Sequence, residues 1–275
     1  MALTPLVEAY DQLIVDLDGC VYVGGEPIPG SVEAVAALRE AGKRVAFVTN
    51  DPRRSTEDYV QRLWGMGVRA SIADVVTVGG AVQHLLADTR QGRTAFVIGT
   101  EALLRHVDDA GVRVLNGTDL ASRAEVVVVG GTEDLVYEDL RLASLALRRG
   151  ADFLATGRDP TYPMPDGLWP GTGAIVAALE YATGRAAAVV GKPEPQLMHT
   201  AIDRLGDGRT LVVGDRLDSD VAAAARARLD AALVLSGGTS REEAEAAMAR
   251  GVDGDDRDAP RPVRVADDLA SLVLA

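Results

Sequence analysis

Residues 12–19 read Gln-Leu-Ile-Val-Asp-Leu-Asp-Gly, an apolar run that stops on two carboxylates and a glycine. A short, uninterrupted apolar run fits a strand buried on both faces, and such strands belong to parallel sheets covered by helices. Comparable runs recur at 44–49 (RVAFVT), 94–98 (TAFVI), 125–130 (EVVVVG), 187–191 (AAVVG) and 210–214 (TLVVG). Between them lie segments with helical spacing, such as Ser31 to Ala41, with Val32, Val35, Ala36 and Leu38 on one face and Gly42 placed to end the helix. Strand followed by helix, repeated, predicts an α/β protein with a doubly wound parallel sheet.

The chain has 275 residues, room for about two domains at roughly 150 residues each. Hydrophobic residues make up 47% and charged residues 25%, the balance of a globular protein. A formal charge of −13 leaves no basic face for a nucleic-acid backbone or an anionic lipid surface. No apolar stretch approaches the roughly 18 residues of a membrane helix. The start, MALTPLVEAYDQ, lacks the pattern of a secretory signal, and the single cysteine, Cys20, cannot form an intrachain disulfide. Both features lead us to expect a cytoplasmic protein. With aromatic residues at only 4%, Ala, Val and Leu must fill the core.

Region 79–186 carries its own strand and helix pattern and a Pro/Gly-rich stretch, TGRDPTYPMPDGLWPGTG, from Thr156 to Gly173. We therefore expect a core from residues 1–78 and 187–275 with an α/β domain inserted at 79–186. The acidic stretch 250–263 lacks the D-x-[DN]-x-[DN]-G spacing of a calcium loop and reads as solvated.

Four apolar runs each finish in a reactive group: Asp16 and Asp18, Thr49 and Asn50, Lys192, and Asp215. Ligands of open parallel sheets sit outside the carboxyl ends of the strands, so these residues are expected to converge. Carboxylates brought together repel unless a cation is present, and hard carboxylate oxygens suit Mg²⁺. Because Mg²⁺ usually takes one or two protein carboxylates plus substrate phosphate, a phosphate ester is the expected substrate, with Lys192, Thr49 and Asn50 as donors to it. Gly19 lets the backbone turn after the strand. One carboxylate can then attack phosphorus while the other serves the leaving oxygen and later the water.

These residues resemble a haloacid-dehalogenase-superfamily phosphatase of the NagD-like class IIA group, which includes phosphoglycolate and p-nitrophenyl phosphatases. The likeness spans VDLDGCVYVGGEPIPG at 15–30, FVTN at 47–50, DGLWPGTGAIVAALEYATGR at 166–185, VGKPEP at 190–195 and VGDRLDSD at 213–220. It implies a Rossmann-like core with an inserted α/β cap of the C2 type. It also makes Asp16 the phosphorylated nucleophile, Asp18 the general acid/base, and Thr49 and Lys192 the groups that bind the transferring phosphoryl. Mg²⁺ would be held by Asp16, the backbone carbonyl of Asp18, and Asp215, with Asp220 orienting a metal-bound water. The cap would read the leaving group, with Pro163 to Gly173 its candidate segment. Homodimers occur among similar proteins.

Departures from the pattern are Asp51-Pro52 after Thr49-Asn50, where an added carboxylate is expected to weaken anion binding, Gly157 in place of an asparagine, and Arg228 in place of a helix-ending glycine. Asp218 reads as the start of a helix, Cys20 as a packed thiol, and Arg53 and Arg54 as a solvated pair. His84, His106 and His199 lack metal-ligand spacing. The leading expectation is a Mg²⁺-dependent phosphatase of small phosphomonoesters (sugar phosphate, nucleotide, glycerol phosphate or phosphoglycolate). The alternatives are a phosphomutase on the same scaffold and a non-catalytic phosphate-binding or phospho-acceptor module. Asp18 and Asp215 oppose a metal-free dehalogenase.

Overall fold

A computed structural model describes residues 1–164, 167–249 and 261–275. Residues 250–260 of the acidic stretch and residues 165–166 of the Pro/Gly-rich stretch lie outside the described residues. No helix among the described residues is long and apolar enough to cross a membrane. In chain order the strands are β1 (Gln12–Asp16), β2 (Tyr22–Val23), β3 (Glu26–Pro27), β4 (Arg44–Thr49) and β5 (Val75–Thr77). Then follow β6 (Thr94–Ile98), β7 (Arg113–Val114), β8 (Val126–Val129), β9 (Asp152–Ala155), β10 (Thr161–Met164), β11 (Gly167–Pro170) and β12 (Ala188–Val189). The last three are β13 (Thr210–Gly214), β14 (Asp230–Val234) and β15 (Arg264–Ala266).

The chain divides into two compact units: Met1–Thr49, Thr56–Val76 and Lys192–Ala275 in the first, Asn50–Ser55 and Thr77–Gly191 in the second. The first unit carries the sheet β15-β14-β13-β1-β4-β5. Counted in chain order within the sheet this is the 3-2-1-4-5-6 arrangement, whose winding reverses between β1 and β13. All five residues of β1 and of β13 are buried, because both faces of the sheet are covered. On one face Leu13, Val15, Phe47 and Val213 pack with Val35 and Leu38 of the helix Ser31–Glu40 and with Tyr59 and Leu63 of the helix Thr56–Gly65. The first of these helices ends where the sequence requires it: Gly42 takes φ +75°, and Lys43 N–H reaches back to Leu38 O.

The second unit has its own parallel sheet, β12-β9-β8-β6-β7, and an antiparallel hairpin of β10 and β11. Phe96, Ile98, Val127, Val129 and Phe153 pack against Ala143, Leu147, Val176 and Leu179. Residues 187–191 read in sequence as a strand of the first sheet. Instead β12 pairs with β9, Ala188 opposite Leu154 and Val189 opposite Ala155, so the run belongs to the second sheet and the chain re-enters the first unit at Lys192.

Candidate functional site

Register brings the reactive strand ends of the first unit together. Val15 lies opposite Val213 on one side of β1 and Asp16 opposite Val48 on the other, so Asp16 stands beside the ends that carry Asp215 and Thr49. This is the point where the sheet reverses direction, the place where open α/β sheets bind ligands. Beyond β1 the chain turns tightly: the N–H groups of Cys20, Val21 and Tyr22 all point to Leu17 O, and Gly19 takes φ +83°. A side chain at Gly19 would also put its Cβ 2.5 Å from Asp215 Oδ2, so glycine serves both the turn and the close approach.

The centre is a buried charge cluster. Lys192 Nζ donates to Asp16 Oδ1 at 2.5 Å and to Asp220 Oδ1 at 2.6 Å, and the three side chains are at most 8% exposed. Asp220 Oδ2 accepts the backbone N–H groups of Asp215 (3.2 Å) and Arg216 (3.0 Å). Asp220 thus ties the lysine to the loop that bears Asp215. Asp215 Oδ2 accepts Gly238 N–H at 2.5 Å, and Asp215 O accepts Thr239 N–H at 3.1 Å. Ser236 Oγ reaches across to Gly19 O at 2.6 Å.

Three carboxylates face one ammonium, leaving a surplus of negative charge away from water. Burial, followed by the charge of Asp220, pushes the Asp215 carboxyl up to about 7, against the opposing pull of Gly238 N–H and Lys192. Burial also raises Asp16 well above the usual carboxylate range. Lys192 pulls it down, while Asp220 and Asp215 push it further up. Burial alone would lower the Lys192 ammonium, but Asp16 and Asp220 outweigh it and hold it protonated. One ligand atom each from Asp16, Asp215 and Cys20 lies within 4.8 Å of the others. Crowded carboxylate oxygens with uncompensated charge fit a divalent cation, which would draw both carboxyls back toward ionisation.

Asp18 is exposed at the lip of the turn, with Tyr22 Oη 3.5 Å from its Oδ2. The Tyr22 ring in turn carries the Arg62 guanidinium 4.1 Å from its centre. Thr49 is buried at the end of β4. Asp218 is outside the cluster, 73% exposed and paired with Arg216.

Asn50 belongs to the second unit, where its amide lies against Gly157 and Gly191; a Cβ on Gly191 would collide with it and with Thr156 O. Asp51 is a neutralised acid: Arg53 Nε and Nη2 grip its two oxygens at 2.8 and 3.1 Å. The same guanidinium stacks 4.7 Å from the Tyr162 ring centre. Asp51, read in sequence as an added carboxylate that weakens anion binding, thus has its charge met by Arg53, and Arg53, read as solvated, is engaged by Asp51. Arg228 adopts φ +60°, so the left-handed position that favours glycine is present and is filled by arginine. Sequence reasoning missed the loop Ser236–Thr239, which holds Asp215. Its signal was a Ser-Gly-Gly-Thr stretch directly after the apolar run of β14.

The second unit contains a cleft of about 230 Å³ beyond the ends of β6 and β8, lined by Thr100, Asn116 and Thr132 and by the acids Glu101, Asp134 and Asp139. With three acids and no basic side chain on its wall, it does not suit a phosphate.

Models of haloacid dehalogenase-like hydrolases match residues 13–113 and 68–228, and a related model matches 189–272. The D-glycerol 3-phosphate phosphatase of Mycobacterium tuberculosis is 39% identical over 269 residues, covering 97% of this chain and 72% of that protein. The crystal structure of a glycerol phosphate phosphatase from the same organism, in complex with magnesium, superposes with a TM-score of 0.86 at 38% identity, over 99% of this chain and 79% of that one. A p-nitrophenyl phosphatase from Archaeoglobus fulgidus gives 0.84 at 32% identity, over 96% and 98%.

Proposed function

This chain belongs to the haloacid dehalogenase-like hydrolases, and from that premise we propose that it is a phosphatase that hydrolyses small phosphomonoesters through a phosphorylated Asp16. The observation that carries the reading is the buried Asp16–Lys192–Asp220 chain beside Asp215 at the reversal point of the first sheet. Asp16 and Asp215, with the backbone carbonyl of Asp18, would hold Mg²⁺, and a relative crystallised with magnesium supports the choice of ion. When bound, the ion supplies charge neutralisation at the transferring phosphoryl group.

The side chains divide the remaining work. Asp16 attacks phosphorus, the P–O bond to the leaving group breaks, and the leaving oxygen takes a proton from Asp18. Exposure at the lip of the turn suits Asp18 to reach that oxygen. Asp18, now a carboxylate, then removes a proton from water as it attacks the aspartyl phosphate, releasing phosphate and restoring Asp16. Lys192 keeps Asp16 in place and offers a positive charge to the equatorial oxygens, with the Thr49 hydroxyl as a further donor. The second unit, with the hairpin of β10 and β11, is the proposed cap that selects the leaving group.

Glycerol phosphates and sugar phosphates head the substrate proposal, since relatives bear the names D-glycerol 3-phosphate phosphatase and acid sugar phosphatase. The test is phosphate release from glycerol 3-phosphate, sugar phosphates, nucleotides and phosphoglycolate, each with Mg²⁺ and with EDTA. Mg²⁺-dependent release that Asp16→Asn abolishes, with circular dichroism unchanged, is the expected result. Normal turnover by Asp16→Asn would overturn the mechanism.

A further inference from the structure

Cys20 stands where the phosphatase reading gives no role to a thiol. Its side chain is fully buried, inside the turn that follows β1, and has no hydrogen-bond partner among the described residues. Apolar packing is the usual fate of such a cysteine. Here, however, the sulfur meets two carboxylates: its Sγ, one oxygen of Asp16 and one of Asp215 lie within 4.8 Å of one another. That set holds two hard donors and one soft donor around a single point.

We propose that Cys20 makes this centre a binding site for thiophilic divalent ions of the zinc class, held by Asp16, Asp215 and the Cys20 thiolate, in competition with Mg²⁺. The inference rests on reading Asp16 and Asp215 as cation ligands. Zinc takes sulfur at about 2.3 Å and carboxylate oxygen at about 2.0–2.2 Å, so tetrahedral ligands stand roughly 3.3–3.8 Å apart. Ligand atoms within 4.8 Å of one another reach that spacing through small side-chain movements. Binding forms a metal–sulfur bond while the thiol proton leaves to solvent, and no oxidant or reductant is involved.

Magnesium gains nothing from sulfur, whereas zinc and cadmium gain a strong ligand. The same two carboxylates would then prefer the softer ion, and a bound zinc-class ion would occupy Asp16, the proposed nucleophile. Without a cation the arrangement does not activate the thiol. Burial and the charges of Asp215 and Asp16 raise it well above its ordinary value, so Cys20 is no nucleophile.

The chain has one cysteine, which makes the test unambiguous. The reduced full-length protein is titrated with cadmium chloride while the ultraviolet thiolate-to-cadmium charge-transfer band is recorded, and the titration is repeated with Cys20→Ser, with Asp215→Asn and in excess Mg²⁺. The expected result is a band that saturates at one equivalent, is absent in Cys20→Ser, and requires more cadmium in Asp215→Asn and in the presence of Mg²⁺. Loss of an outer-shell partner already costs roughly 10–100-fold in metal affinity, so loss of the Asp215 ligand should weaken cadmium at least about tenfold. Zinc should bleach the band by displacing cadmium.

No band in the wild-type protein, or a band with equal affinity in Asp215→Asn, overturns the proposal. Mg²⁺-dependent turnover without a cadmium band sinks this inference alone. A band that Mg²⁺ does not weaken refutes a shared site. If the protein also lacks Mg²⁺-dependent turnover, the phosphatase reading falls separately.

Discussion

Replacing Lys192 by methionine keeps most of the side-chain volume and removes the ammonium between Asp16 and Asp220. Both ion pairs are short, 2.5 and 2.6 Å, and nearly dry. Taking one partner from a buried ion pair costs roughly 3–5 kcal/mol, because the remaining charge is left uncompensated. Here two carboxylates lose their partner, so the upper end, about 5 kcal/mol, is expected for the metal-free protein. At about 2–4 °C per kcal/mol for a domain of this size, the first unit should melt roughly 10–20 °C lower. Asp220→Asn removes one of the stranded charges while its amide oxygen can still accept the N–H groups of Asp215 and Arg216. The double variant should therefore lose less than the sum of the two single losses, by about 1–3 kcal/mol, as expected for residues in direct contact. Urea denaturation in EDTA at pH 7, followed by circular dichroism, completes the cycle. Additivity within about 0.5 kcal/mol, or a loss under about 1 kcal/mol in Lys192→Met, would show that the ammonium does not hold this cluster together.

Asp18→Asn should lower turnover of an alkyl phosphate by about 100-fold or more, the usual worth of a general acid; p-nitrophenyl phosphate, whose leaving group needs little protonation, should lose much less. Equal losses on both substrates would remove Asp18 from that role. In EDTA, Asp215 keeps its proton up to about pH 7 in the folded state but only to 3.8 in the unfolded chain. The folded state therefore binds more protons across that window, and stability contributed by this group is full below pH 3.8 and falls as pH rises toward 7. Wild type minus Asp215→Asn should show that downward slope in thermal melts and lose it with Mg²⁺, whereas an upward slope would reverse the assignment. Arg228→Gly relieves a left-handed backbone and should stabilise the protein by about 1 kcal/mol, and a destabilised variant would mean the arginine side chain contributes more than its backbone strain costs.

The strand runs and the carboxylates at their ends were legible because burial on both faces and turn chemistry are local properties. Asp16, Thr49 and Asp215 follow from that pattern and from the order of the sheet. The run at 187–191 was misassigned for the same reason. A short apolar run states that a strand is buried but not which sheet it joins, and β12 joins the second. The pairing of Asp51 with Arg53 lies only two residues along the chain, yet charge counting alone reads one as an added negative charge and the other as solvated. Asp220 was read as a residue orienting a metal-bound water; that its two oxygens also take Lys192 and two backbone N–H groups is a geometry that no spacing rule encodes. The Ser236–Thr239 loop carries no charged side chain, so its part in holding Asp215 through main-chain donors was invisible to a search for reactive groups.

The central strand pair of the first sheet, β1 with β13, joins Gln12 to Thr210, with the entire second unit between them in sequence. During synthesis the intervening unit can complete its own sheet while β1 is still waiting for its neighbour. An already compact insert brings the ends of that loop closer than a flexible chain of equal length would, which reduces the entropy lost when they meet. Asp16 is made before the inserted unit, and Lys192, Asp215 and Asp220 reach it only after that unit has been made. The buried charges therefore come together late, and a nascent chain that stops within the inserted unit carries Asp16 without Lys192.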